Sequence, residues 1–354
     1  MQLTLLVPEL IWPEPDDRDI FDGLDSPALD SLLARSRLAR RPPQSFEATL
    51  SDTFTHPEGA PYAAFRLIGE AQDAVDADEC SWICCDPVHL RFHQENLILA
   101  EMGHFGISFD EAQALVEALN THLANIGHFH AFTAERWYLQ LTDTLLLDGF
   151  DAPPLSTVAG RRIERLLAES TQAKGMRKLF NEIQMILHAH PINQQRENEG
   201  RMTINSLWLW GAGKLPPRAD GASPSHFDGV WSHTPLARGL ARFASIPTHQ
   251  LPLDAAKFLE NAAPGTRHLV VLEDLLGPVQ YEKREDYRNA LTQLEEHWFA
   301  PLQKQLSAGK ISQLRIEAST AYATLYWECT RSSQWKFWKR PQALVARAKV
   351  LASE

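Results

Sequence analysis

The feature that most constrains this chain is the run Ile204-Asn205-Ser206-Leu207-Trp208-Leu209-Trp210, which leads straight into Gly211-Ala212-Gly213. An apolar, aromatic run of this length, bounded by small residues, reads as a strand. The stretch before it is helical in pattern: Gly160 to Leu187 carries Ile163, Leu166, Leu167, Leu179, Ile183, Ile186 and Leu187, as one or two helices. The same alternation of helix and strand recurs on both sides, and it predicts an α/β sheet.

Residues 2–7 are an apolar run of strand length that stops at Pro8-Glu9, followed by an acidic loop rich in Asp and Pro. Ser26-Pro27 opens a helix with Ser26 as N-cap and Leu29, Leu32 and Leu33 on one face. Residues 40–60, with Pro42, Pro43, Pro57 and Gly59, read as irregular linker. Asp110 to Asn125 is a helix, with Ser108 as N-cap and Glu111 three residues on as a capping box. Strands are expected at 81–85, 136–141 and 269–272, and helices at 235–244 and 284–306, the latter a single long one. Residues 310–316 and 322–329 read as closing strands.

Composition excludes some classes. A net charge of −11 disfavours non-specific binding to nucleic acid or anionic membrane. No apolar run approaches the roughly 20 residues of a bilayer span. The first residues lack a basic segment and are interrupted by Pro8, and four cysteines are no disulfide framework, so the expected compartment is the cytoplasm.

His190-Pro191-Ile192-Asn193, then Arg196 and Gly200, then Ile204-Asn205 and the strand ending in Gly211-Ala212-Gly213 resemble the archaeal-type, cofactor-independent phosphoglycerate mutases. Ser26-Pro27-Ala28-Leu29-Asp30 and the helix from Glu111 to Asn120 extend that resemblance. Over nearly the full length the chain also resembles bacterial RpfE-type regulatory proteins, through residues 86–91, 136–139, 181–185, 205–211 and 335–341. The resemblance implies an alkaline-phosphatase-like α/β core, with helices on both faces of the sheet. That core comprises residues 1–70 and 180–354, and a smaller α/β domain of residues 75–165 is inserted in it.

Mutases of this kind use two divalent metals and a serine nucleophile, the metals clamping the attacking and leaving oxygens. This sequence departs from that set at four places. Val7-Pro8-Glu9 stands where the first strand should end in Asp-Gly. Ala60-Pro61-Tyr62-Ala63-Ala64 stands where the serine should lie. Pro278 replaces a histidine after Asp274, and Ile316-Glu317-Ala318-Ser319-Thr320-Ala321 replaces a segment with Asp and His. The expectation is therefore a pseudoenzyme with no catalytic residue, metal or cofactor, acting as a regulatory protein. An active mutase or phosphatase with rearranged ligands is the alternative.

The residues carried over as an anion pocket are Arg136, His190, Asn193, Arg196 and Asn205, for a small phosphorylated or carboxylate ligand. A protein partner is a second expectation. Arg reads such groups bidentately, and a structural ion pair with Glu135, Glu182 or Glu197 is the competing reading. Cys80, Cys84, Cys85, His89 and His93 have the residue types of a zinc site but lack a second cysteine pair, which favours buried strand cysteines. Trp335, Phe337 and Trp338, interleaved with Lys336, Lys339 and Arg340, read as aromatics turned inward to close a sheet. The competing reading is a nucleic-acid or membrane contact.

Overall fold

The computed structural model describes residues 1–56, 59–70, 80–93, 96–101, 106–142, 150–163, 174–217, 226–336 and 338–353. In chain order, the elements used below begin with β1 (Gln2–Leu6), α1 (Pro27–Arg35), β2 (Arg37–Arg41) and α2 (Phe46–Thr53). They continue with α3 (Tyr62–Glu70), β3 (Trp82–His93), β4 (Asn96–Glu101), α4 (Phe109–His122), β5 (Gly127–Ala131) and β6 (Trp137–Leu141). Next come α5 (Lys174–Ala189), α6 (Pro191–Asn198), β7 (Ser206–Gly213), β8 (Gly229–Trp231), α7 (Pro235–Phe243) and β9 (Thr248–His249). The last are α8 (Ala255–Asn261), β10 (Arg267–Val271), α9 (Arg284–Leu294), α10 (Ala300–Ser307), β11 (Gln313–Ser319), β12 (Thr324–Thr330) and α11 (Leu344–Ser353).

The chain divides into two compact α/β units, Met1–His56 with Asp220–Glu354, and Pro57–Ala219. The first unit holds a sheet in the order β2-β12-β11-β1-β10-β8-β9. β1 lies parallel between β10 and β11, and β12 and β2 run antiparallel at one edge. One face of the sheet is apolar: Leu3, Leu5, Leu314, Ile316, Leu325 and Trp327 pack with Leu29 and Leu32 of α1 and with Leu291, Phe299 and Leu302. Burying such side chains contributes on the order of 2 kcal/mol each.

Two local readings change here. Residues 40–60 are not linker: they hold the end of β2 and all of α2, whose N-terminus is capped by Ser45 Oγ accepting from the Ala48 N–H. The long helix of residues 284–306 is interrupted by a π-helical turn, Glu295–Phe299. That turn has a consequence for α1. Ser26 makes no side-chain cap; instead the Glu295 carboxylate accepts from the N–H groups of Ala28 and Leu29, at 2.6 and 3.0 Å. A carboxylate at a helix N-terminus satisfies orphan donors and complements the dipole.

The second unit holds an antiparallel sheet in which β3 is central. It pairs with β6 and β4 on one side and along β7 on the other. Residues 180–213, expected with the first core, lie in this unit because β7 is bonded to β3. Ile83, Cys85, Phe129, Leu139, Leu207 and Leu209 form one face, covered by α4 and α5. The other face receives α3. The capping box of Ser108 and Glu111 is present at α4 as expected. Of the helical reading for 160–187, residues 164–173 lie outside the described residues, and the described helix begins at Lys174.

Candidate functional site

The Gly-Ala-Gly end of β7 is a packing device. Gly211 has φ +63°, and a Cβ built on it would lie 2.8 Å from Tyr62 Cβ; Gly213 has φ +145°, with Pro61 Cβ 2.9 Å away. Only glycine tolerates both the conformation and the approach of α3. Tyr62, in the segment matched to the mutases' serine, is buried at the start of that helix.

Beneath α3 runs a buried polar network. Arg66 donates to both oxygens of Asp86, at 2.8 and 2.7 Å, and through Nε to the Tyr138 hydroxyl at 2.8 Å. The Trp210 indole N–H donates to Asp86 at 2.7 Å, and Tyr138 donates to Glu70 at 3.1 Å. Glu70 in turn pairs with both Nε and Nη2 of Arg136. Arg66 and Asp86 escaped the sequence reading, because their partners lie on different elements of the fold.

The five residues expected as an anion pocket are placed as follows. Arg136 belongs to the network just described. His190 is the N-cap of α6, its Nδ1 accepting from the Ile192 N–H at 3.2 Å. Burial holds its imidazole below the ordinary histidine value, which keeps that nitrogen an acceptor. Asn193 is buried and ties three backbone groups: it donates to Leu187 O and Ile204 O and accepts from the Ile204 N–H. Arg196, with a side chain 1% exposed, donates to both oxygens of Glu111 and to the carbonyls of Met202 and Gly106. Asn205 exchanges two hydrogen bonds with the backbone of Leu90.

His190, Asn193 and Arg196 are thus brought together on one helix, with Asn205 in the loop that Asn193 pins; Arg136 sits in a separate network. The hydrogen bonds described for these groups go to the protein's own backbone and carboxylates. The partners of the two arginines are Glu70 and Glu111.

At the ends of the parallel strands of the first unit, Glu9 has φ +55° and its N–H donates to Ser319 O. Glu273 accepts from the Thr234 hydroxyl, while Glu317 points along the sheet to Arg315 and Thr53. Among the described residues, no three His, Cys, Asp or Glu side chains group in a way that could hold a metal ion. The described residues therefore do not form the two-metal centre of the mutases. The cysteine–histidine cluster behaves likewise: Cys84 and Cys85 are buried, the Cys80 sulfur accepts from Gln140, and His89 Nδ1 bonds Thr203 O. The side chain of His93 lies outside the described residues.

The aromatic C-terminal segment differs from its expectation. Trp335 and Trp338 are exposed, because Ser332–Trp335 is a 3-10 turn and extends no strand; Phe337 lies outside the described residues. No helix among the described residues is long and apolar enough to cross a membrane.

The first unit also contains a cavity of about 390 Å³ that the sequence reading missed. It is lined by Thr4, Arg315, Glu317 and Tyr326 from the strands of the sheet, by Asp52 and Thr53, and by Arg41. The signal was available in β11, where Gln313, Arg315 and Glu317 alternate with Leu314, Ile316 and Ala318. Parallel strands covered on both faces are normally apolar throughout.

No family model matches the chain. It is similar to the 2,3-bisphosphoglycerate-independent phosphoglycerate mutase of Methanosarcina mazei, with 29% identity over 217 residues, 56% of this chain and 51% of that protein. It is similar also to phosphoglycerate mutase 2 of that type from Methanothermobacter thermautotrophicus, with 25% identity over 252 residues, 68% of this chain and 60% of that protein. The chain spans a little over half the length of the curated relatives it matches. Among solved structures, the PH0037 protein from Pyrococcus horikoshii superposes with a TM-score of 0.55 at 13% identity, covering 98% of this chain and 92% of that one. That likeness concerns the fold alone. The scaffold is phosphoglycerate mutase-like.

Proposed function

We propose that this chain is a non-catalytic regulatory protein, built on the mutase-like scaffold and responding to a small anionic ligand or a protein partner. The observation that carries the reading is the donor set at the strand ends of the first unit. Glu317 is engaged with Arg315 and Thr53, Glu273 with Thr234, and no cluster of three metal-binding side chains forms among the described residues. Two-metal phosphoryl transfer needs such clusters on both sides of the reacting phosphorus. The burial of Tyr62 where the mutases carry their serine supports the same reading. So does the resemblance of residues 86–91, 136–139 and 335–341 to RpfE-type regulatory proteins.

The test is an assay of the purified protein for mutase and phosphatase turnover with Mn, Mg and Zn, alongside its metal content. Rates indistinguishable from buffer in all three metals are expected. Metal-dependent turnover would overturn the reading in favour of an enzyme with rearranged ligands.

A further inference from the structure

The cavity on the polar face of the first unit's sheet has the makings of a specific site. Arg315 Nε lies 2.7 Å from Glu317 Oε1, and the Thr53 hydroxyl donates to Glu317 Oε2 at 3.2 Å. Glu317 is directly opposite Tyr326 in the antiparallel pairing of β11 with β12. The guanidinium carbons of Arg315 and Arg41 lie 4.9 and 5.2 Å from the centroid of that tyrosine ring. Arg41 Nη1 pairs with Asp52 at 3.3 Å.

Each group keeps unused capacity. The Glu317 side chain is 3% exposed, yet its carboxylate takes one partner on each oxygen, out of roughly four lone-pair positions. Arg315 and Arg41 are 44% and 59% exposed, and neither Nη group of Arg315 makes a hydrogen bond among the described residues. The cavity lining also includes Arg267, which pairs with Asp228 at 3.6 Å, so the two arginines left for a ligand are Arg41 and Arg315. Two half-exposed guanidinium groups in one concavity give an anion a local attraction that the negative net charge of the chain does not supply elsewhere.

We propose that this cavity binds a small organic anion that also carries a hydroxyl or ammonium donor, its charged end on Arg41 and Arg315 and its donor on Glu317. The anionic head is a phosphate or a carboxylate, both of which match the guanidinium fork. The donor is required because an acceptor placed against Glu317 would meet a buried carboxylate. Tyr326 fixes both arginines through its ring face, so the site is pre-arranged before a ligand enters. The inference rests on the ligand-responsive reading given above and names its site.

Calorimetric titration with four probes tests it: glycerol 3-phosphate and lactate as donor-bearing anions, propyl phosphate and propionate as their plain counterparts. At least one donor-bearing anion should bind with a Kd below ~1 mM. Its plain counterpart should bind about tenfold more weakly, the loss expected when a buried acceptor is left unpaired. The phosphate and carboxylate arms identify the head group.

Arg41→Gln, a change at an exposed residue whose fold is checked by circular dichroism, should weaken binding about tenfold through the lost charge-assisted bond. Glu317→Gln should close the gap between donor-bearing and plain anions. Failure of both donor-bearing anions to bind, or unchanged affinity in Arg41→Gln, sinks the proposal while leaving the non-catalytic reading intact. Metal-dependent turnover would do the reverse.

Discussion

In the second unit Arg66 and Arg196 are sealed, each with a carboxylate and with hydroxyl or carbonyl oxygens around the guanidinium. In the first unit Arg41 and Arg315 also have carboxylate partners, but they stand in a cavity with much of the side chain open. The residue type and the pairing are the same, and the remaining capacity differs. A buried arginine with most of its donors taken holds elements together, and removing it strands a buried charge. A half-open one contributes little to stability and is available to a ligand. Pairing alone therefore does not separate a structural arginine from a binding one; the count of unoccupied donors does.

The largest expected effect tests this contrast directly. Arg196→Ala should cost about 3 kcal/mol, because it takes from Glu111 its buried bidentate partner, leaving only Arg201 and the Ser108 N–H, and leaves the Met202 and Gly106 carbonyls without that donor. Arg41→Gln should stay within roughly 0.5 kcal/mol of the wild type. Urea unfolding of the two variants side by side gives the comparison, and equal losses would erase it.

Next in size is the glycine that lets α3 lie on β7. Gly211→Ala adds a Cβ at a positive φ and against Tyr62, and should cost about 1–3 kcal/mol in the second unit. A thermal melt unchanged by that substitution would mean the helix has room to move.

The smallest effect sharpens the contrast through pH. Burial pushes the Glu111 carboxyl up, but hydrogen bonds from the Ser108 N–H and from Arg196 outweigh it and leave the group below its ordinary value of 4.5. Its contribution is present above pH 4.5 and lost as pH falls through the lower folded value. For Glu317, burial also pushes the carboxyl up, and Arg315 and Thr53 pull it back only partly, so it stays above 4.5. Its contribution is present below pH 4.5 and lost as pH rises through the higher folded value. Glu317→Gln should thus flatten a decline in stability above pH 4.5. Glu111→Gln should flatten the acid limb below it. Identical pH profiles for wild type and Glu317→Gln would show that the cavity carboxylate is as well satisfied as the sealed one.

Much of the fold was legible where the signal is local. The capping box at Ser108 and Glu111, the strand into Gly211 and the α/β alternation rest on spacing within a few residues, and all three hold. The candidate site was less so. Arg196 and Arg136 were singled out by type, but their partners lie 85 and 66 residues away, and neither was among the acids considered. The cavity went unnoticed although β11 alternates polar and apolar residues, because that pattern alone does not reveal whether a helix covers the polar face. Residues 40–60 read as linker from Pro42, Pro43, Pro57 and Gly59, but Ser45 caps a helix directly after the first two prolines, which a count of breakers does not show.

By itself, then, the sequence determined most of the helices and strands, the class of the fold and its mutase-like scaffold, since periodicity, caps and motif spacing act over short distances. The tertiary structure decided which charged side chains are sealed and which stay open. It brought Glu295 across 267 residues to cap α1, Glu111 to Arg196 and Glu317 to Thr53. A hydrogen bond is satisfied by whatever group packing places within about 3 Å, and sequence distance has no part in that.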